Sequence, residues 1–330
     1  MSKGNQFGAG SGAGGVEYQR FIRGSRGPAN GVPWGAQFRF NTISHNEQFK
    51  INATMWKKTL FILALMPTIF ACSKTAFTGR KSLNLIPTNT INQMSFSEYR
   101  SFLSQNKTIT SGKEVDLVRR VGNDLKAAVE VYYRATGKSS ELKNYSWEFN
   151  VVDDSKTINA FCMPGGKVVV YTGILAVTKN EDALAVVMGH EIAHALANHG
   201  NERMSQGLVA QLGLTSLDIA LSQKPSETRN LLMAAAGAGA QVGVLLPFSR
   251  KHESEADEIG LYLMAMAGYN PNEAAPFWDR MTKSGGSRPP EFLSTHPDPK
   301  RRSQDLKALV PKAMEYKRKY PVPNSSKNKK

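Results

Sequence analysis

The chain has 330 residues, 42 of them basic and 27 acidic, a net charge of +15, and two cysteines. A composition 41% hydrophobic and 21% charged excludes a disordered polypeptide, and two cysteines exclude a disulfide scaffold. The basic excess fits an anionic surface, but no nucleic-acid-binding motif accompanies it, so the expectation is a basic face near a membrane and no nucleic acid.

Residues 1–54 are rich in Gly, Arg and Asn, carry only Glu17 and Glu47 as acids, and show no helical period. They read as an over-extended or disordered leader, although a basic, acid-poor stretch also fits a mitochondrial-type transit sequence. Met55-Trp56-Lys57-Lys58 then precedes a largely apolar run, Thr59 to Ala71, that ends at Cys72. A short basic region, an apolar core and small residues before a break describe a signal peptide over 55–71. The core is too short for a membrane span. Ile69-Phe70-Ala71-Cys72 resembles a bacterial lipobox, which implies lipidation of Cys72, though Phe70 departs from the small residue usual there.

Residues 72–97 read as a linker from that anchor, 98–310 as one domain large enough to bury a core, and 311–330 as a solvated, partly disordered basic tail. Within the domain the patterns predict helices at about 95–105 and 113–137 and strands near 145–153 and 167–171. Cys162 lies in a further proposed strand, where a small buried apolar side chain suits better than a reactive thiol.

Asn180 is a candidate N-cap, with Glu181 and Asp182 in the first turn of a mostly apolar helix that Gly200 should end. This helix carries His190-Glu191-Ile192-Ala193-His194. Histidines four residues apart project from one face and can share a metal ion, while Glu191 is placed to serve as general base toward a zinc-activated water. A catalytic zinc takes three protein ligands, so a third is needed. His199 does not complete the extended three-histidine pattern, because Ala197 and Gly200 stand where glycine and histidine are required. It reads instead as a helix-terminal residue.

Further on come a helical pattern over Ser205 to Leu221 and an uncharged run, Leu231 to Leu246, rich in Ala and Gly. That run is shorter than the roughly 20 residues of a membrane span; a buried or substrate-facing helix is expected. In the charged stretch after it, Glu253 and Asp257 share a helix face at i, i+4. Glu253 is the candidate third ligand and Asp257 a candidate orienter of a ligand histidine; taken alone, the same run reads as a solvated face.

On these residues the chain resembles the HtpX/CAAX-prenyl-protease-like family of gluzincin zinc metallopeptidases, in particular the short bacterial lipoprotein members of the BepA and LoiP kind. The resemblance rests on His190 to His194, on Glu253, Ala256 and Asp257, on Asn159-Ala160-Phe161 with Pro164-Gly165-Gly166, and on Thr295-His296-Pro297, and spans about residues 98–310. No tetratricopeptide pattern follows the domain, unlike BepA-like members. The resemblance implies an α+β, mainly helical domain with a small β-sheet beside the active-site helix, and one Zn2+ per chain held by His190, His194 and Glu253. It further implies a strand within 159–171 able to pair with a substrate backbone. His296 would approach the metal from a mobile loop, stabilising an oxyanion or filling the open ligand position; the plainer reading is a turn residue before Pro297.

The function so implied is a membrane-tethered zinc metalloendopeptidase acting on protein or peptide substrates in envelope quality control. It would be lipid-anchored, at the periplasmic face of a bacterial outer membrane or, alternatively, at a mitochondrial inner membrane. A chaperone-like binding module with a structural zinc is the competing class. Oligomeric state is left open by the sequence.

Overall fold

The computed structural model describes residues 72–241, 246–284, 290–296, 299–323 and 325–327; the expected leader and signal peptide lie outside the described residues. Two strands, β1 (Cys72–Lys74) and β2 (Lys81–Leu83), form an antiparallel hairpin. Helix α1 (Thr88–Gln105) and strand β3 (Thr108–Ile109) follow, then α2 (Lys113–Ala135). Its heptad-like stripe Val118, Val121, Leu125 and Val129 is fully buried, as the 3.6-residue period requires.

A four-stranded sheet comes next, built from β3, β4 (Glu148–Val152), β5 (Ala160–Met163) and β6 (Lys167–Tyr171) in the order β3-β4-β6-β5. Only β4 and β6 run parallel, and β5 lies at an edge. Val168, Val169 and Val170 are all 0% exposed, so β6 is covered on both faces. The turn between β5 and β6 needs its glycines: Gly165 and Gly166 sit at φ +81° and +86°, and a Cβ on either would strike Phe96 or Trp147.

Beyond a short helix α3 (Thr172–Thr178), helix α4 (Glu181–Leu196) starts as its sequence dictates. The Asn180 side chain accepts a hydrogen bond from the Ala183 amide at 2.7 Å, and Glu181 and Asp182 occupy the first turn. From Ala183 to Leu196 every residue except His194 is buried. Helix α4 packs against α7 (Leu246–Met266) through two glycines in contact, Gly189 and Gly260. A Cβ on Gly260 would lie 2.8 Å from the His190 amide nitrogen. Only glycine permits this approach, and it sets the face bearing His190 and His194 against the face bearing Glu253 and Asp257.

Helices α8 (Ala274–Lys283), α9 (Glu291–Thr295) and α10 (Pro299–Lys319) complete the body, α10 lying across α7 and α8. The expected α+β, mainly helical architecture with a small sheet is what the chain adopts.

Four expectations are corrected. The linker over 72–97 is part of the folded body: Thr75 is buried and hydrogen-bonds Glu255, and α1 starts directly after Pro87. The basic tail is ordered helix to Lys319 and then docks Val322, 1% exposed, with Ser325 also buried. Lysines on its outer side hid the buried Leu306 and Ala313 side.

The active-site helix ends at Leu196 rather than at Gly200, because Asn198 takes the left-handed conformation (φ +56°), which asparagine tolerates. His199 therefore opens the next helix, α5 (His199–Ala220), instead of closing the previous one. The run from Leu231 is not buried: helix α6 (Ser226–Ala240) has no buried residue, with Leu231 72% exposed. Residues 242–245 of that run lie outside the described residues. No described helix is long and apolar enough to cross a membrane.

Candidate metal centre

Helix α4 presents His190 and His194 with their Nε2 atoms 3.0 Å apart, and α7 brings Glu253 to them across the glycine contact. Glu253 Oε2 lies 3.3 Å from His190 Nε2, and Oε1 lies 3.4 Å from His194 Nε2. From the end of α9, His296 adds Nδ1 at 2.9 Å from Glu253 Oε2 and 3.2 Å from His190 Nε2. Its backbone is tied back by a 2.9 Å bond from its amide to the Phe292 carbonyl, and its ring lies 4.6 Å from that of Phe292.

One ligand atom from each of these four residues lies within 4.8 Å of all the others. Tetrahedral zinc with bonds of about 2.0–2.1 Å places its ligand atoms about 3.3 Å apart. The separations among His190, His194 and the Glu253 carboxylate, 3.0–3.4 Å, and from His296 to His190 and Glu253, 2.9–3.2 Å, lie near that edge, and imidazole nitrogen with carboxylate oxygen is a zinc donor set. The residues fit the ion.

Glu191 does not join this set. Its Oε1 is buried without a hydrogen-bond partner among the described residues and stands 3.3 Å from His296 Nε2. Burial pushes its carboxyl above the ordinary range, against the pull of His296 and His190. Burial would do the same to Glu253, but hydrogen bonds from His190, His194 and His296 hold it far below that range. Burial also opposes ionisation of Asp257, and Arg302 overcomes it. For His194 burial dominates and drives the ring well below 6.5, so its lone pair is available to a metal.

Asp257 Oδ1 lies 3.0 Å from His190 Nδ1, on the side of the ring away from Glu253. Thus His190, His194, Glu253, Asp257, Glu191 and His296 are all brought together. Cys72 is the first residue of β1. Asn159, expected beside the site, donates to Glu291 Oε1 at 3.0 Å just before edge strand β5. A cavity of about 390 Å³ opens onto Glu191, His194 and His296, with Phe161 and Met163 of β5 on its wall.

Sequence reasoning missed Arg302. On α10, 4% exposed, it grips both Asp257 oxygens (2.6 and 2.7 Å), reaches Glu253 Oε2 at 3.2 Å and stacks 3.6 Å above the Trp278 ring. Its position in a run of basic residues disguised it. His199, Glu202, Glu255 and Arg80 were also missed. Buried His199, Glu202 and Glu255 and the partly exposed Arg80 form a polar cluster behind His194, in which burial pushes His199 down to about 4.

Two helix-borne histidines, a glutamate from a second helix and a buried carboxyl beside them form a metallopeptidase-type arrangement in which Glu253 is the candidate third ligand. The chain belongs to Peptidase family M48, whose family model matches residues 122–310. It is 40% identical over 173 residues to the mitochondrial metalloendopeptidase OMA1 of Arabidopsis thaliana, covering 52% of this chain and 33% of the relative. It is 34% identical over 232 residues to the OMA1 of Saccharomyces cerevisiae, covering 66% and 63%. The β-barrel assembly-enhancing protease of Escherichia coli is 32% identical over 157 residues, 46% and 32%. The chain thus spans from about a third to just under two thirds of the length of these curated relatives.

Proposed function

We propose that this chain is a zinc-dependent endopeptidase, with His190, His194 and Glu253 as ligands and Glu191 as general base. The observation that carries it is the convergence of the ligand atoms within 4.8 Å beside a buried carboxyl on the same helix. Zinc, when bound, lowers the pKa of its water and polarises a scissile carbonyl. Glu191 takes the proton of the attacking water and later gives it to the leaving amine nitrogen. Its raised pKa suits a group that must do both. His296 Nε2, 3.3 Å from Glu191, is placed to donate to the oxyanion that develops. Asp257, fixed by Arg302, holds the His190 ring. An extended substrate backbone pairs with edge strand β5 beside the cavity.

One observation favours the competing class: His296 Nδ1 completes a closed four-atom set, as structural zinc sites have. Casein cleavage decides between the two. The peptidase reading expects cleavage that a chelator abolishes and added zinc restores; zinc-loaded protein that leaves casein intact would reverse the assignment.

The physiological setting proposed is protein quality control at a membrane. Lys57-Lys58, the apolar core and Cys72 support a lipid-anchored envelope protein. The named mitochondrial relatives and the basic, acid-poor first 54 residues support a mitochondrial location. Mass spectrometry of the mature N-terminus separates them, since acylated Cys72 belongs only to the first.

A further inference from the structure

Behind the proposed metal ligands runs a chain of polar groups, buried at His199 and Glu255 and reaching the surface at Thr78 and Arg80, that the proposed reaction does not use. His199 is 0% exposed. Its Nδ1 lies 2.8 Å from Nδ1 of His194, and its Nε2 lies 3.0 Å from Glu255 Oε2. Glu255 is anchored in turn by the Thr75 hydroxyl at 2.9 Å, by Thr78 and by the Arg80 guanidinium. Arg80 also spans both oxygens of Glu202, at 3.0 and 2.7 Å. The His252 ring stacks on His199 at 4.4 Å, which leaves His199 no room to turn.

The protons along this chain can be assigned by elimination. An ionised carboxylate only accepts, so His199 donates Nε2–H to Glu255. A neutral imidazole then has its lone pair on Nδ1, and that atom accepts the Nδ1–H of His194. His194 is left with a lone pair on Nε2, the atom that faces His190 and Glu253. A His194 ring of the opposite tautomer would offer the metal a proton instead.

We propose that His199 is a positioning residue of the metal centre, fixing the tautomer and plane of His194 and itself held by Glu255 and the Thr75–Arg80 turn. The two ligand histidines are then oriented by different means: His190 directly by Asp257, His194 through an imidazole–carboxylate relay. The relay also gives the β1–β2 hairpin a task, because its connecting turn supplies three of the partners of Glu255. This inference rests on the zinc reading above, and the test separates the two.

Zinc affinity of the full chain is measured by competition with a chromophoric chelator for wild type, His199→Leu and His199→Asn. Leucine removes the acceptor, and affinity is expected to fall by about 10–100-fold. Asparagine keeps an acceptor oxygen where Nδ1 stood, and is expected to stay close to wild type. Equal affinity in all three, or an equal loss in both variants, overturns the proposal; a wild type that binds no zinc overturns the zinc reading itself. Should the leucine variant not fold, long-range 1H–15N correlation on the zinc-loaded wild type replaces it. Protonation of His194 at Nδ1 and of His199 at Nε2 is expected, and the reverse pattern on either ring overturns the assignment.

Discussion

Arg302 neutralises a buried site that would otherwise hold too many carboxylates. Glu191, Glu253 and Asp257 are all under 7% exposed, and among the described residues Arg302 sets its guanidinium against two of them. Removing one partner of a buried ion pair costs about 3–5 kcal/mol, because the other charge stays buried and uncompensated. Arg302→Ala should therefore lower the thermal midpoint of the metal-free protein markedly. Arg302→Lys should recover only part of it, since a single ammonium cannot grip both Asp257 oxygens or stack on Trp278. Calorimetry of the metal-free variants checks this; an unchanged midpoint for Arg302→Ala would contradict it. Glu253→Gln should weaken zinc binding itself, which the same chelator competition reads. The candidate ligand positions could be proposed from the sequence because i, i+4 spacing fixes a shared helix face before any tertiary contact exists. Arg302, His199 and Glu255 were not, because a charged residue reads as solvated until the elements that bury it are known.

At the scale of elements, the Gly189–Gly260 contact holds the two ligand-bearing helices in register. Alanine in a helix interior is ordinarily favoured over glycine by about 1 kcal/mol. At Gly260 the new methyl would meet backbone atoms at 2.8 Å, which cannot swing aside as a side chain can. Overpacking of this kind costs about 1–3 kcal/mol, so the clash wins. Gly260→Ala should reduce both stability and zinc affinity, measured by thermal unfolding and by the competition assay. Retention of both would mean that the helix spacing is not what sets the site. The sequence pattern placed α2, β6 and the start of α4 well, since each has a strong period or a cap of its own. It failed at 72–97 and beyond 310, where short strands and a lysine-faced helix are stabilised by contacts with distant segments. It failed again at α6, where an apolar composition implied burial that no element among the described residues provides.

Over the whole molecule, the charged cluster behind His194 makes stability depend on acid. Burial alone would raise Glu202 and Glu255, but their His and Arg partners hold both at about 2. Unfolded carboxylates take up protons near 4.5, so between about 4.5 and 2 the unfolded state binds more protons and stability falls with pH. Burial of neutral His199, held at about 4, acts in the same direction from 6.5 downward. The thermal midpoint of the metal-free protein should fall steadily from pH 6 to pH 3. Arg80→Met should flatten the carboxylate part of that fall, and an identical slope in the variant would contradict the assignment. The proposed peptidase activity depends on Glu191 as general base. Zinc content and casein turnover measured on the same preparations of wild type and Glu191→Gln test it most directly. Equal zinc, one ion per chain, with turnover lower by at least about 100-fold is the predicted result; a variant that keeps its zinc and cleaves casein at the wild-type rate would contradict it.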